Sequence, residues 1–291
     1  LVPVFSIRGE NDLGIGDVAS LREFVNFASE VGFGFVQLLP INETGPDNSP
    51  YNAISSVAIE PMTLDCTPIG LEDLSAEDSV AVLADYELEA LNAGNVQYES
   101  VRKLKRALLV KAYEGFLTNV NGRDDVRARE FESFCVREAE WLNDYCVFRL
   151  LMDREGGSHV WQDWPEEFCC KKSATELLAK KTNSSDLFVW DKKLRYYAYV
   201  QWIAYSQWNQ LADHAASRDI VLWVTFQLES VSTAEMFGRI WRFSIWIGLA
   251  ALLRKSFLKT MNSFRNGART GEFLCIGGMF SRKGIMIGGG N

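Results

Sequence analysis

Apolar positions in the first forty residues fall into three groups with different spacing. Val2 to Phe5 is a short apolar run without alternation, as in a buried strand. Leu21, Phe24, Val25, Ala28 and Val31 recur at helical spacing, with Asp17 or Ser20 placed to cap the helix and Gly32 and Gly34 to end it. Phe35 to Leu39 is a second apolar run, closed by Pro40. A strand, a helix and a strand joined by short turns predict a β-α-β unit with parallel strands and a right-handed crossover.

Between Leu71 and Lys181 the pattern is helical. Val101, Leu104, Leu108 and Ala112 make one stripe, and Phe131, Phe134, Cys135, Trp141, Leu142 and Tyr145 a longer one. Both read as core. The block is too long for a single crossover and predicts an inserted helical subdomain. A further helix is expected over Asp191 to Arg218, with Tyr196, Tyr199, Val200, Ile203 and Leu211 on one face, and Ile220 to Trp223 as a third parallel strand. Four regions follow: 1–70 with the first unit and a long loop, 71–185 as the helical insertion, 186–222 with the helix and third strand, and 223–291 as a tail of different character. Strands separated by helices place the chain in the α/β class.

Composition narrows the function classes. The 291 residues are 47% hydrophobic and 23% charged, which suits a globular protein, and no apolar run is long enough for a membrane helix. A formal charge of -8 argues against nucleic acid as a partner. Cys66, Cys135, Cys146, Cys169, Cys170 and Cys275 lack zinc or disulfide spacing and read as reduced, buried thiols of a cytoplasmic protein. His159 and His214 are isolated and suggest no metal site. Trp161 and Trp164 could stack on a sugar, with core the stronger reading.

The stretch from Asn42 to Pro61 carries the candidate chemistry. It follows the second strand and so lies on the same rim as the first loop, Arg8 to Asp17, at the C-terminal ends of parallel strands. Pro46 and Pro50 stiffen the backbone, Asn48 and Ser49 offer short hydrogen-bonding side chains, and Tyr51 presents a flat face for a pyranose ring. On composition alone a plain turn-rich loop is the stronger reading.

Four runs shift that balance: L-V-P-V-F-S from Leu1, L-G-I-G-D from Leu13, Q-L-L-P from Gln37, and T-G-x-x-x-S-P-Y-x-x-x-S from Thr44. Together they resemble the start of glycoside hydrolase family 77, the amylomaltases or disproportionating enzymes. Y-V-Q-W-I-A-Y-S-Q-W from Tyr199 resumes the resemblance. It implies the N-terminal part of a (β/α)8 TIM barrel with an inserted helical subdomain. The implied activity is 4-alpha-glucanotransferase, moving segments of α-1,4-glucan between maltooligosaccharides without metal or organic cofactor. The family's S-P-Y loop contributes to glucan subsites, a role that carries over to Ser49 and Tyr51, and less directly to Ser55, with Asn48 beside them. Pro46 stands where some members have a further glucan-contacting aromatic. Retention of configuration requires two carboxyl groups flanking the bond. The family places them on later strands, so no catalytic residue is assigned.

The tail breaks the resemblance. All seven prolines lie at or before Pro165, and from Val221 onward three acids face nine Lys or Arg. After Leu222 the family continues M-G-D-I-P-x-G-V-S, whereas this chain reads Trp223-Val-Thr-Phe-Gln-Leu-Glu-Ser230. Joining the third base of each codon to the next two lets Trp223 to Ile240 encode G-D-I-P-I-G-V-S-L-Y-S-G-D-V-W-K-D. Two later stretches, from Trp246 and from Asn266, also recover family hallmarks in order. A lost base at the codon before Gly-Asp, turning ATG-G into TGG, accounts for Trp223. Residues 223–291 are then expected to lack a selected fold and the chain to be an inactive fragment. A non-catalytic glucan-binding protein and a basic module around Arg254, Lys255, Lys259, Arg265 and Arg269 are the competing readings.

Overall fold

The computed structural model describes residues 1–120, 125–168 and 185–225. The first helix, α1 (Val18–Glu30), begins where the Asp17 carboxylate accepts the Ser20 amide at 3.0 Å and the Ser20 hydroxyl at 3.1 Å. Leu21, Val25 and Ala28 are its buried stripe. It ends at Gly32, whose φ of +85° lets the Phe33 amide turn back to the Ala28 carbonyl. Gly34 needs no such backbone, and Val31 is exposed at the helix cap instead of extending the stripe.

Strand β1 (Phe35–Leu38) pairs in parallel with β2 (Val221–Val224), from Phe35 opposite Val221 to Leu38 opposite Val224. Alternation sends Val36, Leu38, Leu222 and Val224 inward and leaves Phe35 and Trp223 exposed on the other side. The strand expected over Val2 to Phe5 shrinks to a single parallel bridge, Val2 to Leu38. Pro3 has no amide to continue the ladder, and Val4–Ser6 coils into a 3-10 turn closed on the Pro3 carbonyl. The predicted parallel order survives, with the first strand reduced to one residue. Pairing at the other end runs through Trp223 and Val224 to a Thr225 amide bond on the Leu38 carbonyl at 2.9 Å.

Between β1 and β2 lie six helices among the described residues: α2 (Ala76–Leu83), α3 (Leu88–Asn92), α4 (Tyr98–Val120), α5 (Val126–Arg137), α6 (Ala139–Arg154) and α7 (Ser185–Ser217). The expected α4 stripe, Val101, Leu104, Leu108 and Ala112, is fully buried. In the longer stripe Phe131, Phe134, Leu142 and Tyr145 are buried, while Cys135 and Trp141 are half-buried. α7 touches α1, α4, α5 and α6, and one hydrophobic cluster runs from Val4 to Val224. Rings of Tyr113, Phe116, Phe131, Tyr199 and Trp202 meet at 5.2 to 6.4 Å within it, edge-on or tilted except for the stacked pair Tyr113 and Phe116. Trp164 belongs to a second cluster, stacked on Phe148 with its indole N–H on the Ser158 carbonyl, as a core tryptophan would be.

No described helix is long and apolar enough to cross a membrane. Cys66 and Cys146 are buried thiols and Cys135 is half-buried, none in a disulfide; burial pushes the Cys66 thiol up to about 12. Cys169, Cys170, Cys275 and the basic cluster from Arg254 to Arg269 lie outside the described residues, as does most of the proposed out-of-frame tail.

Candidate functional site

Asn42 to Pro61 folds back on itself. Antiparallel bridges join Asn42 to Ile59 and Thr44 to Ala53, and the Glu43 amide and carbonyl bond Ala58 and Ile54 at 2.9 and 2.8 Å. The Glu60 carboxylate fastens the two sides, accepting from the Thr44 amide and hydroxyl, each at 2.9 Å, and from the Met62 amide. Its tip is a set of local turns. Asp47 accepts from the Ser49 amide and the Asn52 side chain, which holds its carboxyl below the usual range, and Ser49 accepts from the Tyr51 amide.

At that tip the residues predicted to meet sugar divide into two groups. Tyr51 is 44% exposed, and Asn48 and Ser49 are half-buried beside it. Asn48 takes φ of +56°, a backbone that Asn tolerates better than most, and accepts from Arg102 of α4 at 2.6 Å. Ser55 differs: it is 2% exposed, and its hydroxyl accepts from the Val57 and Ala58 amides. It shapes the turn and does not face solvent with the other three.

Below the tip, α7 grips the loop's descending side. The Gln201 amide group both accepts from the Ile59 N–H and donates to the Ile59 carbonyl, each at 2.9 Å, as a neighbouring strand would. Gln207, six residues on, does the same to Asp65, again at 2.9 Å, and also reaches the Gly70 carbonyl. Tyr205 donates to the Val57 carbonyl and the Trp208 indole to the Thr63 hydroxyl. Tyr199 donates to Asp73, which also pairs with Arg127. The run from Tyr199 to Trp208 thus earns its residues as a clamp: its polar side chains satisfy an irregular backbone segment that has no strand partner. The sequence marks this run as a helix face and as a resemblance but does not reveal Gln201 and Gln207, whose partners lie 142 positions away.

Lys105 plays the same part from α4. Its ammonium, 1% exposed, donates to the Met62 and Leu64 carbonyls at 2.8 and 2.7 Å and pairs with the Asp17 cap at 3.3 Å. The first loop is built as tightly. Asp12 accepts from Arg8 twice and from the Gly9 and Gly14 amides. A side chain at Gly16 would lie 2.1 Å from the Val4 carbonyl, which explains a glycine in L-G-I-G-D.

Under the loop is a chamber of about 70 Å³ lined by Glu43, Glu60, Arg102, Lys105, Tyr145 and Arg149 among others. Glu43 is buried; Tyr145 donates to one carboxylate oxygen at 2.5 Å, and Arg149 lies 3.1 Å from the other, too oblique for a hydrogen bond. Burial pushes its carboxyl up to about 6 despite Arg149. A larger groove of about 410 Å³ runs between α5 and α7, and no residue of 42–61 lines it. Among the described residues no group of His, Cys, Asp or Glu is arranged to hold a metal, and His214 bonds Asn26 at 2.8 Å.

Comparison with known proteins adds the following. Similar curated proteins include the 4-alpha-glucanotransferase of Chlamydia caviae, 30% identical over 76% of this chain and 39% of the relative. That of Aquifex aeolicus is 29% identical over 71% and 38%, and that of Thermus thermophilus 27% over 78% and 41%. The chain therefore spans about two fifths of the length of these relatives. Among solved structures, the amylomaltase from Streptococcus agalactiae in complex with acarbose shares the fold over 81% of this chain and 44% of its own, with a TM-score of 0.65 and 24% identity. The amylomaltase from Corynebacterium glutamicum matches 76% of this chain and 29% of its own, with a TM-score of 0.55 and 17% identity. The family model for 4-alpha-glucanotransferases of glycoside hydrolase family 77 matches residues 2–226, and the chain belongs to that family.

Proposed function

We propose that the described part of the chain is the glucan-gripping opening of a 4-alpha-glucanotransferase barrel, with Tyr51, Ser49 and Asn48 as its sugar contacts. The observation that carries this reading is an exposed aromatic on a loop whose backbone is tied down at every level below it. Rigid placement lowers the ordering cost of binding, and the face of Tyr51 offers an apolar platform for a pyranose. The acarbose bound to the Streptococcus agalactiae amylomaltase supports an α-glucan as the ligand class. In that reading β1, β2 and the Val2 bridge are the first three barrel strands, and the loop stands at their C-terminal ends.

Transfer of α-1,4-glucan segments by a retaining double displacement needs a nucleophile and an acid/base, both carboxyl groups. We place neither within residues 1–226. The family match stops at Phe226, three residues after the proposed loss of a base, and the matched part is about two fifths of the relatives' length. The chain as it stands then binds glucan without turning it over. Inserting one base at the codon for Trp223 tests this: the restored frame should release glucose from maltotriose, and the 291-residue chain should not. Glucose release by the 291-residue chain would overturn the assignment of the carboxylates.

A further inference from the structure

We infer that Glu43 is a positioning residue for the glucan loop, and that its ionised carboxylate, held between Tyr145 and Arg149, draws the loop into its binding shape. This rests on the proposed reading of the loop as a glucan site. A carboxylate at 4% exposure is costly to keep, and nothing in the turn chemistry of the loop requires one there. Its backbone is the pivot of the fold-back, bonding Ala58 on one side and Ile54 on the other. Its side chain points away from the tip into the chamber, where four elements face it, α7 among them through Tyr196 and Tyr197. From α6 come the Tyr145 hydroxyl at 2.5 Å and Arg149 at 3.1 Å; from α4, Arg102, with Lys105 and Arg106 also lining the chamber; from the loop itself, Glu60.

The connections reach the tip by two routes. Tyr145 also accepts from Gln201 at 3.2 Å, and Gln201 holds Ile59. Arg102 lies in the field of Glu43 and donates to Asn48, one of the proposed sugar contacts. An ionised Glu43 attracts Arg149 and Arg102 toward the base of the loop. A neutral Glu43 keeps its contact with Tyr145 and loses that attraction, so tip and base are held less firmly together. Burial moves the carboxyl up to about 6, so the change falls within an accessible pH range.

Calorimetric titration of the full chain with maltoheptaose from about pH 5 to about pH 7.5 brackets that midpoint. Affinity should fall about fivefold as the pH drops through the midpoint, a coupling of ordinary size. Glu43→Gln keeps the shape and the Tyr145 contact without a titrating proton, and its affinity should be flat over the range. His159 is a second ionisable group by the loop, 3.8 Å from where a Gly45 side chain would begin, so His159→Asn serves as control and should keep the wild-type profile. Amide protection over 43–60 without sugar, corrected for the intrinsic pH dependence of exchange, should be lost in the same window in wild type and not in Glu43→Gln. Parallel affinity profiles for wild type and Glu43→Gln, or wild-type protection that stays flat over the window, overturn the inference. Exchange that follows Glu43 with no maltoheptaose binding at any pH sinks the glucan reading and leaves the positioning role in place.

Discussion

Two buried ionisable side chains hold the site together at the scale of single residues, and each makes a separate prediction. Lys105 neutralises the α1 cap and satisfies two carbonyls that have no other described donor. Lys105→Met should cost about 3 kcal/mol or more, because it strands Asp17 and both carbonyls in the interior; chemical denaturation measures it. Glu43 works in the opposite sense. Its folded ionisation is raised from the ordinary 4.5 to about 6, so the neutral form is favoured by folding. Its contribution to stability is full below 4.5 and is lost as pH rises through 6. The wild type should therefore lose on the order of 2 kcal/mol relative to Glu43→Gln between those limits, seen as a pH-dependent gap in denaturation midpoints. The global cost and the local grip are distinct: burial penalises the charge, and its partners fix where the loop goes. Neither residue was legible in the sequence, because the partners that explain them, Asp17 for Lys105 and Tyr145 for Glu43, lie 88 and 102 positions away.

At the scale of elements, the helices were legible and their purpose was not. Periodicity alone located the α4 stripe, the α1 cap and the α7 face, because each depends on residues within a few turns of one another. The first strand failed for a local reason, Pro3, that apolar content hides. α7 shows why the remainder could not be read: Gln201, Tyr205, Gln207 and Trp208 pair with a distant segment that forms no ladder of its own. Gln201→Leu leaves the Ile59 amide and carbonyl buried without partners. It should cost about 2 to 4 kcal/mol and loosen the loop, raising amide exchange at 57–61 ahead of global unfolding. Gly115 marks the close approach of α4 to the turn at Asp73. A methyl there would lie 2.1 Å from the Asp73 carbonyl, so Gly115→Ala should destabilise by about 2 kcal/mol by forcing the two apart.

Across the whole molecule, one hydrophobic cluster joins the β-α-β unit to the helices, and a two-stranded parallel sheet shows one face to solvent. Parallel sheets are ordinarily covered on both faces, whereas among the described residues Phe35 and Trp223 stay exposed. In the proposed reading, the frame break would explain why the family match ends at Phe226. The proposed sugar contact rests, in the sequence, on the whole T-G-x-x-x-S-P-Y-x-x-x-S pattern. Its composition alone favoured a plain turn, and the fold separates the exposed Tyr51 from the inward Ser55 that the pattern had grouped with it. Tyr51→Ala should leave stability within about 0.5 kcal/mol, since the residue is exposed and belongs to no core cluster. It should also weaken maltoheptaose binding by about tenfold, as expected for loss of an aromatic platform.

Hydrogen exchange with and without maltoheptaose asks most directly whether this loop grips glucan. Saturating sugar should slow exchange in a footprint over 42–61 and in the facing turn of α4, and Tyr51→Ala should need about tenfold more sugar to produce it. No footprint at saturation, or one confined to the groove between α5 and α7, would contradict the account.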